Sequence, residues 1–197
     1  GGGVAVGDFN SDGLEDVFFT GNMVENQLYM NAGDLQFENI TKLSGIESQQ
    51  KWYTGATIAD VNQDGLEDIY ISVAGRWASR KNELWINQGP DEAGVPQFSE
   101  EADAYGIADS SYSIQSVFFD YDNDGDLDIF LSSSLSTGSV RPPCELYRND
   151  GNLQFTNVSG ISGISQQGDF KHCSAGDYNN DGFVDVIVGN FDEANIL

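Results

Sequence analysis

The nonapeptide DYDNDGDLD occupies residues 120–128 and carries five carboxylates around one glycine. Related stretches stand at residues 8–16 (DFNSDGLED), 60–68 (DVNQDGLED) and 177–185 (DYNNDGFVD), and all four fit the pattern D-x-[DN]-x-D-G-x-x-D. Carboxylates this close repel one another unless a cation lies among them, and hard oxygen ligands at alternate positions suit calcium. The four copies therefore predict about four Ca²⁺ sites within an internal repeat.

Other landmarks recur with the acidic stretch and show that the repeat is much longer than nine residues. A Gln-Phe pair follows at residues 36–37, 97–98 and 154–155, and a Gly-Ile pair stands eight residues beyond each Phe. The repeats lie roughly at residues 1–52, 53–112, 113–169 and 170–197. The last of them stops within its third predicted strand, so the chain holds about three and a half repeats.

Each repeat contains four short segments rich in Val, Ile, Phe and Tyr, separated by Gly, Asn and Asp. In the first repeat the predicted strands cover residues 4–9, 14–20, 27–31 and 35–41. No window shows sustained helical periodicity. Repeated four-stranded units of this length are typical of a β-propeller, whereas a β-solenoid would need shorter repeats. We expect an all-β fold, one partial propeller region over residues 1–197, with an acidic loop between strands 1 and 2 of each antiparallel blade.

The pattern assigns side-chain oxygens to positions 1, 3, 5 and 9 of each loop and a backbone carbonyl to position 7, while the glycine permits the sharp turn. The predicted ligands are Asp8, Asn10, Asp12, Leu14 and Asp16; Asp60, Asn62, Asp64, Leu66 and Asp68; Asp120, Asp122, Asp124, Asp126 and Asp128; and Asp177, Asn179, Asp181, Phe183 and Asp185. We expect these ions to be structural, and the third site, with Asp at position 3, to bind most tightly.

An EF-hand shares the first six positions of this pattern but needs Glu at position 12 and a helix on either side. Here position 12 is Phe19, Ile71, Leu131 or Val188, each inside a strand-like apolar run. The sequence therefore excludes the EF-hand.

The chain resembles the FG-GAP/VCBS repeat proteins, a group that includes the head of integrin α subunits. Within this group it is most similar to the cartilage acidic protein-like (ASPIC-type) secreted proteins. The stretches that carry the resemblance are VAVGDFN at residues 4–10, TIADVN at 57–62, FFDYDNDG at 118–125 and LYRNDG at 146–151. The resemblance implies a seven-bladed wheel, calcium in the loops between strands 1 and 2, and a secreted or cell-surface protein. We expect further blades or another chain to cover the open edges.

Eight Lys and Arg against 32 Asp and Glu give a net charge of −24, which argues against nucleic acid or an anionic membrane as partner. No run of 18 apolar residues predicts insertion into a membrane, and no targeting segment is visible. With one histidine, His172, placed just before a predicted inner strand, no catalytic set stands out. We therefore expect a binding or adhesion module without catalytic activity, for a protein or glycan ligand.

The most distinctive candidate for a ligand surface is the basic loop GRWASRK at residues 75–81, which contains Arg76, Trp77, Arg80 and Lys81. Aromatic and Arg side chains are enriched at binding hot spots. The alternative function is a carbohydrate-active enzyme such as a polysaccharide lyase, for which these basic residues and Tyr53 are the available candidates.

Two further features stay open at the level of sequence. Cys144 and Cys173 lie in adjacent repeats and could form a disulfide, although two buried free thiols is the simpler interpretation. Asn39 and Asn157 begin N-x-[ST] triplets at equivalent places after strand 4, and the repeat itself accounts for them without glycosylation.

Overall fold

A computed structural model describes residues 2–75, 79–134, 142–164, 167–191 and 193–197. The first sheet contains β1 (Val4–Gly7), β2 (Asp16–Phe19), β3 (Gln27–Asn31) and β4 (Phe37–Asn39). The second contains β5 (Trp52–Ala59), β6 (Asp68–Ala74), β7 (Glu83–Pro90) and β8 (Pro96–Glu100). The third contains β9 (Ser113–Phe119), β10 (Asp128–Ser133), β11 (Glu145–Asn149) and β12 (Phe155–Asn157), and β13 (Phe170–Gly176) pairs with β14 (Asp185–Asn190).

Each sheet is an antiparallel meander in which every strand pairs with the next one in the chain. This confirms the all-β fold of four-stranded blades, three of them complete and the fourth represented by its first two strands. A third strand in the fourth blade is reduced to a single bridge between Val188 and Ile196. The first strand of blade 1 ends at Gly7, earlier than predicted, because Phe9 already belongs to the acidic loop.

Apolar cores lie between the blades, and strand β6 shows how they are built. Ile69, Ile71 and Val73 belong to the core shared with blade 1, whereas Tyr70 points to the opposite face and belongs to the core shared with blade 3. Successive side chains of a strand face opposite sides of the sheet. Every residue of β6 is therefore buried, and apart from Asp68 and Ser72 its sequence DIYISVA is apolar on both faces instead of alternating.

The two outer flanks of the segment expose apolar side chains that a neighbouring blade would cover. Val17, Phe19, Tyr29 and Phe37 line a groove on blade 1. Leu35 is 81% exposed, although its counterpart Leu153 packs against the core between blades 2 and 3. At the other end Ile187 and Phe191 are exposed.

Two four-residue helices, α1 (Ala102–Tyr105) and α2 (Ser159–Ser162), follow the outer strands of blades 2 and 3. The repeated Gly-Ile pair ends α1: Gly106 has a left-handed backbone with φ 78°, and Ile107 is fully buried in the core beside blade 3. The pair therefore turns the chain from the outside of one blade toward the centre of the next. Over the described residues, no helix combines the length and apolar character needed to cross a membrane.

Both cysteines are buried and free, in the core between blades 3 and 4. Burial raises the pKa of Cys144 to about 12 and that of Cys173 to about 11. Since the thiolate is the reactive form, neither thiol has the character of a nucleophile.

The inner strands approach closely enough to require glycine at particular positions. A Cβ atom at Gly55 in β5 would lie 2.7 Å from the carbonyl oxygen of Ile114 in β9, whereas a Cβ at Gly176 in β13 would meet nothing within 4 Å. We expect Gly55→Ala to lower the free energy of unfolding by about 1 to 3 kcal/mol, because blades 2 and 3 must move apart. Gly176→Ala is the matched control and should be neutral or stabilise by up to about 1 kcal/mol. Urea unfolding measures both, and equal effects would contradict this packing.

Candidate metal centres

The four nonapeptides form the same loop between strands 1 and 2 of their blades. Position 4 of every loop adopts a left-handed backbone, with φ between 58° and 60°, and the glycine at position 6 has φ between 86° and 96°. Gly at position 6 is free to adopt this conformation, which other residues rarely do. The residues at position 4 are Ser11, Gln63, Asn123 and Asn180.

The carboxylate at position 1 organises the turn by accepting two backbone hydrogen bonds. In the first loop, Asp8 Oδ1 accepts from the N–H of Asp12 at 3.0 Å and Oδ2 from the N–H of Gly13 at 2.8 Å. The same pair of bonds recurs in the other three loops at 2.9 to 3.1 Å. Position 5 in turn accepts from the N–H of position 7, as Asp12 does from Leu14 at 2.8 Å. The loop is therefore closed by its own backbone donors before any cation is considered.

The aspartate at position 9 ties the loop to the third strand of its blade. In blade 2, Asp68 is fully buried, and its Oδ2 accepts from the N–H of Val61 at 2.9 Å while Oδ1 accepts from the N–H of Asn87 at 2.8 Å. Asp16 and Asp128 make the corresponding pairs of bonds in blades 1 and 3, and Asp185 accepts from Tyr178. We call this residue the strap aspartate.

Burial makes the strap aspartates unusually easy to protonate. Loss of hydration raises the pKa of Asp16, Asp68 and Asp128 to about 6, and the neighbouring loop carboxylates raise it further, while the two backbone hydrogen bonds of each act in the opposite direction. Each of these three carboxylates is therefore a negative charge held out of water at neutral pH, which a nearby cation would stabilise.

The side chains at positions 1, 3 and 5 converge on the exposed side of the loop. In the third loop, one oxygen from each of Asp120, Asp122 and Asp124 lies within 4.8 Å of the other two. A single Ca²⁺ ion, whose ligand distances are about 2.3 to 2.6 Å, can contact three oxygens at that separation. In the first and second loops Asn stands at position 3, and its amide lies 3.0 and 2.9 Å from the carboxylate at position 5. The residues present therefore fit a hard divalent cation.

Two contributors to these loops were not predicted from the sequence. An asparagine of strand 3, Asn31, Asn87 or Asn149, donates its backbone N–H to the strap aspartate of each complete blade. Its signal was available, since an Asn stands three residues after the Leu in each of LYMN, LWIN and LYRN. The second is Arg148, whose Nε lies 3.9 Å from Asp122 Oδ2 and which pairs with Asp150. Its position offsets part of the extra charge of the third loop.

The predicted ligand loop is only partly placed. Arg76 and Trp77 lie outside the described residues. Arg80 donates from Nε to the carbonyl of Ser110 at 3.0 Å and stacks over the ring of Tyr112, while Lys81 forms an exposed ion pair with Asp103 at 2.7 Å. These two cations are thus engaged within the protein.

The residues considered for catalysis are dispersed or buried. Tyr53 is fully buried, where it donates to Glu83, which also forms a buried ion pair with Lys51. Burial and the Glu83 charge raise the pKa of Tyr53 well above its usual value, so it is a poor general base. His172 is exposed and lies within β13, not before the inner strand as predicted, because that strand begins at Phe170.

These features define a class of protein: a partial β-propeller in which each blade carries an acidic loop between its first two strands. A family model described as FG-GAP-like repeat matches residues 8–71 and 135–188, and the chain belongs to this family.

Its relatives agree with this assignment and are longer. Cartilage acidic protein 1 of Homo sapiens is 25% identical over 195 residues, which cover 95% of this chain and 28% of that protein. Cartilage acidic protein 1 of Xenopus tropicalis is 28% identical over 136 residues, covering 66% and 19% of the two chains. Integrin alpha-4 of Xenopus laevis is 27% identical over 155 residues, covering 71% and 15%. The chain thus spans less than a third of each relative.

The strap aspartates predict an unusual pH dependence in the metal-stripped protein. The pKa of about 6 of Asp16, Asp68 and Asp128 in the folded state exceeds the ordinary value of 3.8. Protonation therefore favours folding, and this stabilisation is lost as pH rises through 6. We expect the Tm of the metal-stripped protein to rise by several degrees between about pH 8 and about pH 5.

Calorimetry at stepped pH measures this effect, and a pair of variants isolates its source. Asp128→Asn should remove more of the pH dependence than Asp124→Asn, which changes an exposed carboxylate of the same loop. A Tm that falls steadily from pH 8 to pH 5 would contradict the assignment.

Proposed function

We propose that this chain is a calcium-stabilised, non-catalytic part of an extracellular binding or adhesion protein, with a protein or glycan as its ligand. The observation that carries the calcium assignment is the convergence of Asp120, Asp122 and Asp124 in a loop whose backbone arrangement recurs four times. The carboxylates and amides at positions 1, 3 and 5 would hold the ion, and the carbonyl of position 7 and the strap aspartate are the further ligands we predict.

The charge balance supports a metal in this role. Four Ca²⁺ ions would change the net charge from −24 to −16. The stabilisation would be local, because Asp16, Asp68 and Asp128 are held out of water beside the loop carboxylates. At a free calcium concentration 100 times the Kd, one site stabilises the folded state by about 2.7 kcal/mol. The contribution of four such sites is comparable with the free energy of unfolding of a whole domain.

The binding function is supported by the relatives and by what the candidate catalytic residues do. The family includes proteins named integrin and cartilage acidic protein, which favours an extracellular setting. Tyr53 is sealed from solvent, and Arg80 and Lys81 have partners within the chain. The candidates for the lyase alternative that the structure describes therefore offer no accessible base beside a free cation. Incubation with acidic polysaccharides tests that alternative, since unsaturated products formed with sustained turnover would overturn the non-catalytic assignment.

The exposed apolar flanks are the surfaces on which we expect further blades or another chain to pack. The flank of blade 1 presents Phe19, Tyr29 and Phe37, the kind of surface that each internal blade buries against its neighbour. Unpaired strand edges and exposed apolar faces favour association with another sheet. A seven-bladed wheel, as in the family resemblance, would cover both flanks.

Calcium should raise the Tm of the wild-type chain, and a loop variant should lose part of that gain. Asp64→Asn replaces an exposed carboxylate at position 5 of the second loop, and we expect it to reduce the calcium-induced rise by about 5 to 10 °C. Glu92→Gln removes one exposed acid outside the loops and should leave the rise unchanged. A Tm insensitive to calcium in the wild type would contradict the metal assignment.

We predict that the third site binds calcium most tightly because of its additional negative charge. Arg148 provides a test of this electrostatic explanation. Removing its guanidinium, 3.9 Å from Asp122, strengthens the field at the site, so Arg148→Gln should tighten calcium binding there by about threefold or more. Lys42→Gln, remote from the loops in sequence, is the charge-matched control. Calorimetric titration compares the variants, and weaker binding in Arg148→Gln would refute the electrostatic explanation.

A further inference from the structure

We infer that Asn87 and Glu67 are positioning residues shared by the first and second metal loops, so that cation binding in one of these loops strengthens binding in the other. The inference rests on the proposed calcium function and adds a coupling between two of its sites. We name the segments 8–16 and 60–68 loop 1 and loop 2.

Asn87 is hydrogen-bonded to both loops at once. It is 1% exposed and lies within β7, just before the irregular end of that strand. Its Nδ2 donates to the carbonyl of Phe9 in loop 1 at 2.8 Å and to the carbonyl of Glu67 in loop 2 at 3.2 Å. Its backbone N–H donates to the strap Asp68 at 2.8 Å. One buried amide therefore fixes position 2 of loop 1 relative to positions 8 and 9 of loop 2.

Glu67 makes a second connection between the loops, and here the donor belongs to loop 1. Its Oε2 accepts from the backbone N–H of Asp8, position 1 of loop 1, at 2.8 Å. The contact is tight, because a Cβ atom at Gly7 would lie 2.2 Å from that oxygen. Asp8 is the residue whose carboxylate accepts the closing bonds of loop 1. The two connections thus meet at the first two residues of loop 1.

The sign of the coupling follows from the order that a bound ion imposes. An ion in loop 1 holds Asp8 and fixes the Phe9 carbonyl, which in turn holds the Asn87 amide against Glu67 and Asp68. Loop 2 then loses less conformational freedom when it binds its own ion, and the same argument applies in reverse. Ordering of a shared element by a first ligand gives positive cooperativity in this way.

Electrostatics acts against this coupling, and salt separates the two effects. An ion in loop 1 reduces the negative potential at loop 2, which weakens binding there. Interactions between exposed charges are screened over about 10 Å at 0.1 M salt, whereas buried hydrogen bonds are affected much less. We therefore expect the positive coupling to grow with ionic strength.

The same connections are weaker or changed at the next pair of loops. Gln63 of loop 2 reaches the third loop, donating to the carbonyl of Gly125 at 2.8 Å and to Asp126 at 3.1 Å, but it is exposed. Position 8 is Leu127 in the third loop and Val184 in the fourth. Neither side chain can accept a hydrogen bond as Glu67 does, so loops 1 and 2 should be the most strongly coupled pair.

Amide NMR of the whole chain tests this with a separate reporter in each loop. The glycine at position 6 donates its N–H to the carboxylate at position 1, as Gly13 does to Asp8 and Gly65 to Asp60. Calcium titration followed at Gly65 gives the midpoint of loop 2. Asp12→Ala disables loop 1, and we expect it to raise the calcium concentration at the Gly65 midpoint by about fivefold.

Matched variants assign the coupling to the proposed residues. In a Glu67→Ala background, Asp12→Ala should shift the Gly65 midpoint by less than about twofold. Glu15→Ala removes the same charge from position 8 of loop 1, where the side chain is exposed, and should leave the fivefold shift intact. Asn87→Ala should abolish the shift, whereas Asn31→Ala should not, because the hydrogen bonds of Asn31 with Asp16, Glu15 and Gly33 all stay within blade 1.

The outcomes separate this inference from the function on which it rests. If no position-6 glycine responds to calcium, the proposed calcium function fails. If the glycines respond but Asp12→Ala leaves the Gly65 midpoint unchanged or lowers it, the calcium function stands and the coupling is refuted. A shift that disappears at about 0.5 M salt would also refute it, because screening of the opposing electrostatic effect should enlarge the positive coupling.

Discussion

The structure depends on a carboxylate held out of water in each complete blade. Asp16, Asp68 and Asp128 each accept one backbone N–H from position 2 of their own loop and one from an asparagine of strand 3. One side chain thereby fixes the acidic loop on the strands that carry it. Because a buried charge is costly without compensation, the same residue makes the blade sensitive to the electrostatic state of the exposed carboxylates above it.

Cohesion between blades comes from a different source. β6 and β10 send alternate side chains into the cores on either side, so each inner blade is stabilised by both neighbours. Electrostatic repulsion is concentrated in the loops between strands 1 and 2, while apolar side chains pack in the space between the sheets. A cation bound in these loops would reduce the repulsion, and the apolar packing between the sheets would then determine how the blades assemble. Asn87 belongs to both systems, since it is buried between blades and yet contacts two acidic loops.

The repeat, the strand count and the loop positions follow from the sequence because they are local: Gly at position 6, alternating acids and β-branched runs specify them within a few residues. The strap bonds were less accessible, since Asp68 and Asn87 stand 19 residues apart and meet only once the blade has formed. Links between blades, such as Glu67 to Asp8 across 59 residues, depend on how neighbouring sheets pack. No short pattern encodes that packing. The early end of β1 reflects a competition, because Phe9 is apolar but its N–H is taken by Asp16.

The scarce basic residues bear on what the protein recognises. Among those described, Lys51 is buried against Glu83, Lys81 pairs with Asp103, Arg80 stacks on Tyr112, and Arg148 lies between Asp122 and Asp150. In a chain with 32 acidic residues, these four cations contact other residues of the same chain. A ligand attracted by these four side chains would therefore have to displace internal partners. Recognition through apolar surface or hydrogen bonding would leave these internal contacts intact.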